Sequence, residues 1–115
     1  MKRKELSDYH GGVRLTLLLP AKDEAGNLPR LIPEALEAGY ARVVVCDDGS
    51  TDGTGEVARS FGAEVLSHPR NLGLAAALRT LLDWAADELG EDELAVFMDA
   101  DATMDPKAAF AGARL

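Results

Sequence analysis

Val96-Phe97-Met98-Asp99-Ala100-Asp101 ends an apolar run, Leu94 to Met98, in two carboxylates spaced one residue apart. Alternate residues of an extended chain point the same way, so Asp99 and Asp101 can converge on one point. Two hard oxygen ligands at the mouth of a strand suit Mg²⁺ or Mn²⁺ with a diphosphate on the same ion. Open α/β sheets carry their ligands at the carboxyl ends of their strands. The competing reading is a polar turn after a buried strand, with Asp101 opening an Asx-turn. The flanking sequence has to decide between them.

Upstream of this stretch the pattern alternates strand and helix. Val13 to Leu19 (VRLTLLL) is almost wholly apolar, as buried parallel strands are, and Pro20 is expected to stop it. A polar turn follows, with Asp23 as the expected N-cap of a helix running from about Ala25 or Leu28 to Ala38. Its apolar face is Leu28, Leu31, Ile32, Ala35 and Leu36. Pro29 suits the first turn, Pro33 should bend or delay the helix, and Gly39 should close it. Ala41 to Cys46 (ARVVVC) is a β-branched second strand. The tract Asp47 to Thr54 (DDGSTDGT) is a turn, with a cap expected at Ser50, Thr51 or Asp52 of a helix ending near Phe61. Ala63 to Ser67 is a weaker strand, suited to an edge. Beyond the turn-rich His68 to Gly73, apolar residues recur at helical spacing from Leu74 to Leu89. Trp84 in this helix reads as packing. After the Asp-x-Asp strand, Asp105-Pro106 reads as a cap and first turn of one more helix.

This β-α-β-α-β-α-β-α order predicts a parallel α/β sheet with helices on both faces. Three acid-rich turns, Pro20 to Glu24, Asp47 to Thr54 and Asp99 to Asp101, then share one edge of the molecule. That convergence favours a site over three unrelated loops. Composition narrows it further. The chain has 115 residues, 47% apolar, enough for one domain with one core. Its net charge of −8, from 20 acidic and 12 basic residues, argues against nucleic acid as a partner. One cysteine, Cys46, precludes an internal disulfide framework. No apolar run reaches the length of a membrane span. The polar stretch Met1 to Gly12 lacks the apolar core of a secretory signal and reads as a flexible leader.

The tracts LLLPAKDEAGNL, VVVCDDGSTDGT, NLGLAAALRTLL and VFMDADATMDP, in this order from Arg14 to about Lys107, resemble the successive motifs of glycosyltransferase family 2. Among its subgroups the polyprenyl-phosphate (dolichyl-phosphate-type) mannosyl and glucosyl transferases are most similar. The resemblance implies the GT-A nucleotide-sugar-binding fold, Rossmann-like, with residues 13–115 as its N-terminal donor-binding half. It implies that Pro20, Ala21 and Glu24 line a base and ribose pocket. Asp48, with Asp47 beside it, would accept hydrogen bonds from the nucleobase or ribose. Asn71, Gly73 and Arg70 would shape the floor. Asp99 would lie near ribose or donor sugar, and Asp101, with Asp99, would hold Mg²⁺ or Mn²⁺ bridging the phosphates.

The implied partners are a UDP- or GDP-linked sugar and a polyprenyl-phosphate acceptor, with inversion at the transferred hexose. The implied location is the cytoplasm, peripheral to the membrane face. Lys22 stands where many members carry an aromatic residue, and Ala102-Thr103-Met104 replaces a more polar tract. Family members continue well past this length, so the general base is not assignable here. A truncated parallel sheet would leave an open edge, hence an expected homodimer through that edge. Two other functions remain open: a nucleotide- and metal-binding module without turnover, and an unrelated flavodoxin-like or receiver-type domain. A dinucleotide-binding domain is disfavoured because no G-x-G-x-x-G follows the first strand.

Overall fold

A computed structural model describes residues 9–10 and 12–100. Asp101, the tract 102–104 and the helix expected after Asp105-Pro106 lie outside the described residues. The chain runs β1 (Tyr9–His10), β2 (Val13–Ala21), α1 (Leu28–Ala38), β3 (Arg42–Asp48), α2 (Thr54–Ser60), β4 (Glu64–His68), α3 (Leu74–Glu88) and β5 (Glu93–Phe97). Four strands form a parallel sheet in the order β4-β3-β2-β5. Tyr9 and His10, read from sequence as part of the leader, pair antiparallel with Arg14 and Val13 at the start of β2.

The period of two along the strands sorts the core into two layers. Leu15, Leu17 and Leu19 of β2, with Val43 and Val45 of β3, pack on Leu28, Leu31, Ile32 and Ala35 of α1 and Ala58 of α2. Leu18, Val44 and Cys46 face the other way, onto Ala77 and Leu81 of α3. Helices therefore cover both faces, as the near-continuous apolar strands require. Among the described residues β4 pairs with β3 alone, which places the weakest strand at the sheet edge, as expected.

Pro20 does not stop β2. The strand continues to Ala21, with Pro20 opposite Cys46. The reason lies in the direction of its missing N–H. The Leu15 carbonyl points toward β3, accepting from Ala41, whereas Arg14 N–H and the Leu18 carbonyl engage Asp92 and Met98 on the β5 side. By alternation Pro20 also turns its nitrogen toward β5, whose ladder has ended at the Leu18–Phe97 pair. No ladder bond is lost, so this proline fits within a strand.

Asp23 is not a helix cap. It occupies the left-handed region at φ 57° within the turn, and Asn27 is the N-cap of α1. Helix α1 runs unbroken through Pro33 and closes on Gly39, as expected of a left-handed glycine. In α2 the cap position falls to Gly53, while Asp52 accepts the Thr54 N–H at 3.0 Å. On α3 the apolar stripe is wider than the sheet surface it covers. Leu74 and Leu82 stay 59% and 54% exposed, while Ala77 and Leu81 are buried. Trp84 packs beneath Arg42, whose guanidinium lies 4.8 Å from the ring centroid and pairs with Glu64 at 3.1 Å.

Thr16 is fully buried on the α3 face, and its hydroxyl has no hydrogen-bond partner among the described residues. Valine has the same shape and a strong preference for strands. Thr16→Val is therefore expected to gain about 1 kcal/mol, a rise in Tm of roughly 4–8 °C. Thermal unfolding checks it, and an unchanged or lower Tm would show that the hydroxyl is satisfied.

Candidate functional site

Strand β2 pairs with β3 on one side and β5 on the other, although β3 follows it directly and β5 comes last. Connections leaving β2 and β4 thus run to opposite sides, which opens a crevice at the carboxyl ends of the strands. Two adjoining clefts occupy it. The first, about 300 Å³, is walled by Pro20, Ala21 and Lys22 from the end of β2 and by Asp48 from β3. Asn71, Gly73, Leu74 and Ala77 complete it from the approach to α3 and its first turn. The second, about 250 Å³, shares Pro20 and Leu74 and extends past Leu78, Phe97 and Met98 to Asp99. The second is largely apolar, with the exposed Asp99 at its end.

Asp48 is only 4% exposed, yet its carboxyl is held below the usual carboxylate range. Burial pushes it upward, but hydrogen bonds from His68 and from the Leu72 and Gly73 amides outweigh burial. Oδ1 accepts from His68 Nδ1 at 2.8 Å and from Leu72 N–H at 2.8 Å, and Oδ2 accepts from Gly73 N–H at 2.9 Å. The carboxylate therefore anchors the cleft wall that carries Asn71 and Gly73. A carboxylate has about four acceptor positions, so Oδ2 keeps capacity for a donor in the cleft.

Beside this wall, the turn after β2 is laced to the turn after β3. Asp23 N–H donates to Ser50 Oγ at 2.8 Å, and Thr51 N–H returns a bond to Asp23 Oδ1 at 2.8 Å. Glu24 N–H donates to Thr54 Oγ1 at 3.0 Å, and Ala25 N–H to Asp52 Oδ2 at 3.1 Å. Thr54 Oγ1–H in turn donates to Asp52. The Asp23 carboxyl is lowered by the Lys22 ammonium at 2.6 Å and then by the Thr51 amide. Asp52 is lowered chiefly by the Thr54 hydroxyl.

The residues singled out from sequence thus separate. Pro20, Ala21, Asp48, Asn71 and Gly73 come together around the first cleft, and Asp99 borders the second. Glu24 and Asp47 line neither. The Glu24 carboxylate takes the Asn27 side-chain amide at 2.5 Å, and Asp47 Oδ1 takes the Ser50 N–H at 3.1 Å. Both are pieces of the turn framework. Sequence reasoning passed over His68, which looked like part of a connector but ends β4 directly opposite Asp48. Lys22, exposed to solvent, also borders the first cleft. The signal for His68 was its place just after an edge strand running beside the Asp47-Asp48 strand.

This geometry has close relatives. The family model for glycosyl transferase family 2 matches residues 16–110. An uncharacterized protein of Methanocaldococcus jannaschii is 34% identical over 91 residues, covering 79% of this chain and 37% of the relative. An uncharacterized glycosyltransferase of Mycobacterium tuberculosis is 35% identical over 94 residues, covering 82% of this chain and 39% of the relative. Among solved structures, glucosyl-3-phosphoglycerate synthase of Mycobacterium tuberculosis, in complex with Mn²⁺, UDP and glucosyl-3-phosphoglycerate, superposes with a TM-score of 0.61 at 26% identity. It is matched over 84% of this chain and 36% of its own. Mannosyl-3-phosphoglycerate synthase of Rubrobacter xylanophilus gives a TM-score of 0.61 at 27% identity, over 85% of this chain and 34% of its own. This chain therefore spans well under half the length of these relatives. By the family model and the fold together, the chain belongs to glycosyl transferase family 2 and has the GT-A architecture.

Proposed function

We propose that the chain is the donor-binding part of a glycosyltransferase that uses a nucleotide-diphosphate sugar, UDP- or GDP-linked. The observation that carries this is the first cleft, which sits at the strand-order reversal with Asp48 held ionised in its wall. The base and ribose occupy that cleft against Pro20 and Ala21, and Asp48 accepts a hydrogen bond from a base N–H or a ribose hydroxyl. Asn71 and Gly73 form the floor. The diphosphate extends toward Asp99.

Asp99 fits a divalent cation in donor chemistry, being an exposed carboxylate at the cleft mouth. Among the described residues no three His, Cys, Asp or Glu side chains converge to hold a metal. Mg²⁺ or Mn²⁺ would be held by Asp99 and Asp101, with phosphates and water as the other ligands. When bound, such an ion neutralises charge on the departing nucleoside diphosphate. The apolar second cleft supports an acceptor with a hydrocarbon tail, such as a polyprenyl phosphate. No helix among the described residues is long and apolar enough to cross a membrane.

A second reading is that these residues bind nucleotide and metal without turnover, because an acceptor must be held as well. Calorimetric titration with UDP and GDP, each with and without Mn²⁺, tests the site. One nucleotide is expected to bind in a metal-dependent way, and Asp101→Asn is expected to weaken the metal-dependent part by about tenfold or more. Binding of neither nucleotide to a folded sample would sink the donor-site reading. Product formation with a matched acceptor separates the two readings.

We further propose self-association through the β5 edge. Among the described residues β5 pairs with β2 alone, and Leu94 and Phe97 are 50% and 39% exposed. An unpaired edge with apolar flanks recruits another strand. A clean monomer by light scattering at high concentration would count against it.

A further inference from the structure

Asp48 does not hold the cleft wall unaided. His68 stands opposite it in the β3–β4 ladder, with a side chain only 10% exposed. Its Nδ1 lies 2.8 Å from Asp48 Oδ1, and its Nε2 lies 2.8 Å from Thr80 Oγ1. A carboxylate only accepts, so Nδ1 carries the proton, and in the neutral ring the Thr80 hydroxyl donates to Nε2. Cys46 Sγ lies 3.8 Å from Nε2. Burial pushes its thiol up to about 11, so it remains neutral beside the ring. Thr80 falls on the sheet-facing stripe of α3 with Ala77, Leu81 and Trp84.

α3 is thus tied to the sheet twice, once through the His68 ring and once through the Asp48 carboxylate that the ring holds. Its middle is held by Thr80, and its start by the Leu72 and Gly73 amides on Asp48. Between the two ties lie Leu74 and Ala77, which with Gly73 form the α3-side wall of the first cleft.

We propose that His68 is a positioning residue for nucleotide binding: it orients the Asp48 carboxylate and, through Asp48 and Thr80, sets the wall of the first cleft. This rests on the donor-site reading above. Neither bond has an equivalent in a merely apolar packing role, since a ring of the same volume without nitrogen would fill the space and lose both.

The test uses the full chain and three variants. His68→Phe keeps the ring volume and removes both bonds. His68→Asn places an amide nitrogen where Nδ1 stands, keeping the donor to Asp48. Thr80→Ser keeps the hydroxyl. In the ligand-free protein, amide hydrogen exchange at Leu72 and Gly73 is expected to quicken about tenfold or more in His68→Phe and to stay near parental in the other two. The affinity for whichever of UDP and GDP binds the parent is expected to fall about tenfold in His68→Phe and to recover within a few-fold in His68→Asn. Unchanged protection of Leu72 and Gly73 in His68→Phe overturns the inference, whatever nucleotide does. Lost protection with parental affinity overturns it too, because the wall would then not matter to the ligand. A parent that binds neither nucleotide overturns the donor-site reading instead, and the exchange data from the same samples still decide whether His68 sets the wall. If His68→Phe does not fold, His68→Leu, which also removes both bonds, replaces it, with His68→Asn as the rescue.

Discussion

Gly49→Ala is expected to destabilise the protein by about 3 kcal/mol or more and to abolish nucleotide binding. Gly49 follows Asp48 at φ 70°, where a Cβ is already strained. The steric effect is larger. A Cβ there would stand 2.2 Å from the Arg70 carbonyl carbon, 2.3 Å from the Asn71 nitrogen and 2.7 Å from the Arg70 Cα. All three are backbone atoms, so no rotamer change relieves the contact. The segment at Arg70 and Asn71 must shift bodily, and Leu72 and Gly73, bonded to Asp48, follow immediately. Urea unfolding measures the loss. Gly26→Ala is the control, because a Cβ there meets nothing within 4 Å and its φ is not positive. It is expected to be neutral or to gain a few tenths of a kcal/mol. Equal midpoints for the two variants would show that the close approach at Gly49 is not present in solution.

The second large effect is expected from Asp48→Ala, on the order of 3 kcal/mol. It leaves the Leu72 amide and His68 Nδ1 without their acceptor and the Gly73 N–H with only its 3.1 Å bond to Asn71 Oδ1. On the proposed donor site, where Asp48 is assigned to the base or ribose rather than the phosphates, nucleoside binding should fail even without metal. The same contacts govern the acid limb. The Asp48, Asp23 and Asp52 carboxyls are all held below their ordinary values in the fold. Their contribution is fully present above the unfolded carboxylate value of about 3.9 and disappears as pH falls through the lower folded values. Urea midpoints between pH 7 and pH 2 are therefore expected to drop steeply below about pH 4. Asp48→Ala should show a shallower drop. A parallel acid limb in parent and variant would mean that the Asp48 carboxyl is not depressed in the fold.

Much of the architecture was legible in the sequence because it is written in local periodicity. β-branched and apolar runs of strand length, divided by helical spacing, admit few arrangements other than a parallel sheet covered on both faces. The low apolar content of Ala63 to Ser67 marked an edge strand, and among the described residues β4, Glu64–His68, is one. Gly39 marked a helix end for a backbone reason, and it is one. Local rules failed where a neighbour across the sheet supplied the partner. Pro20 reads as a stop because a strand needs its N–H, but β5 ends before it could use that group. Asp23 reads as a cap because its carboxylate precedes a helix, but Ser50 and Thr51, distant in sequence, take its bonds instead.

The site divides in the same way. Sequence alone placed the turns that carry Pro20, Ala21 and Asp48 on one edge, since parallel strand direction brings them together, while Asn71 and Gly73 were implied there by the family resemblance. The roles within that edge were decided by tertiary structure. Asp47 and Asp48 are adjacent and chemically identical, but successive side chains on a strand point to opposite faces. Asp47 therefore meets the Ser50 amide in its own turn, while Asp48 meets His68 and the approach to α3. His68 acquires its place only because β4 lies beside β3 in this register, with α3 carrying Thr80 above it. Hydrogen bonds between residues twenty or more positions apart leave no periodic trace in the chain, and those bonds separate a turn residue from a wall of the cleft.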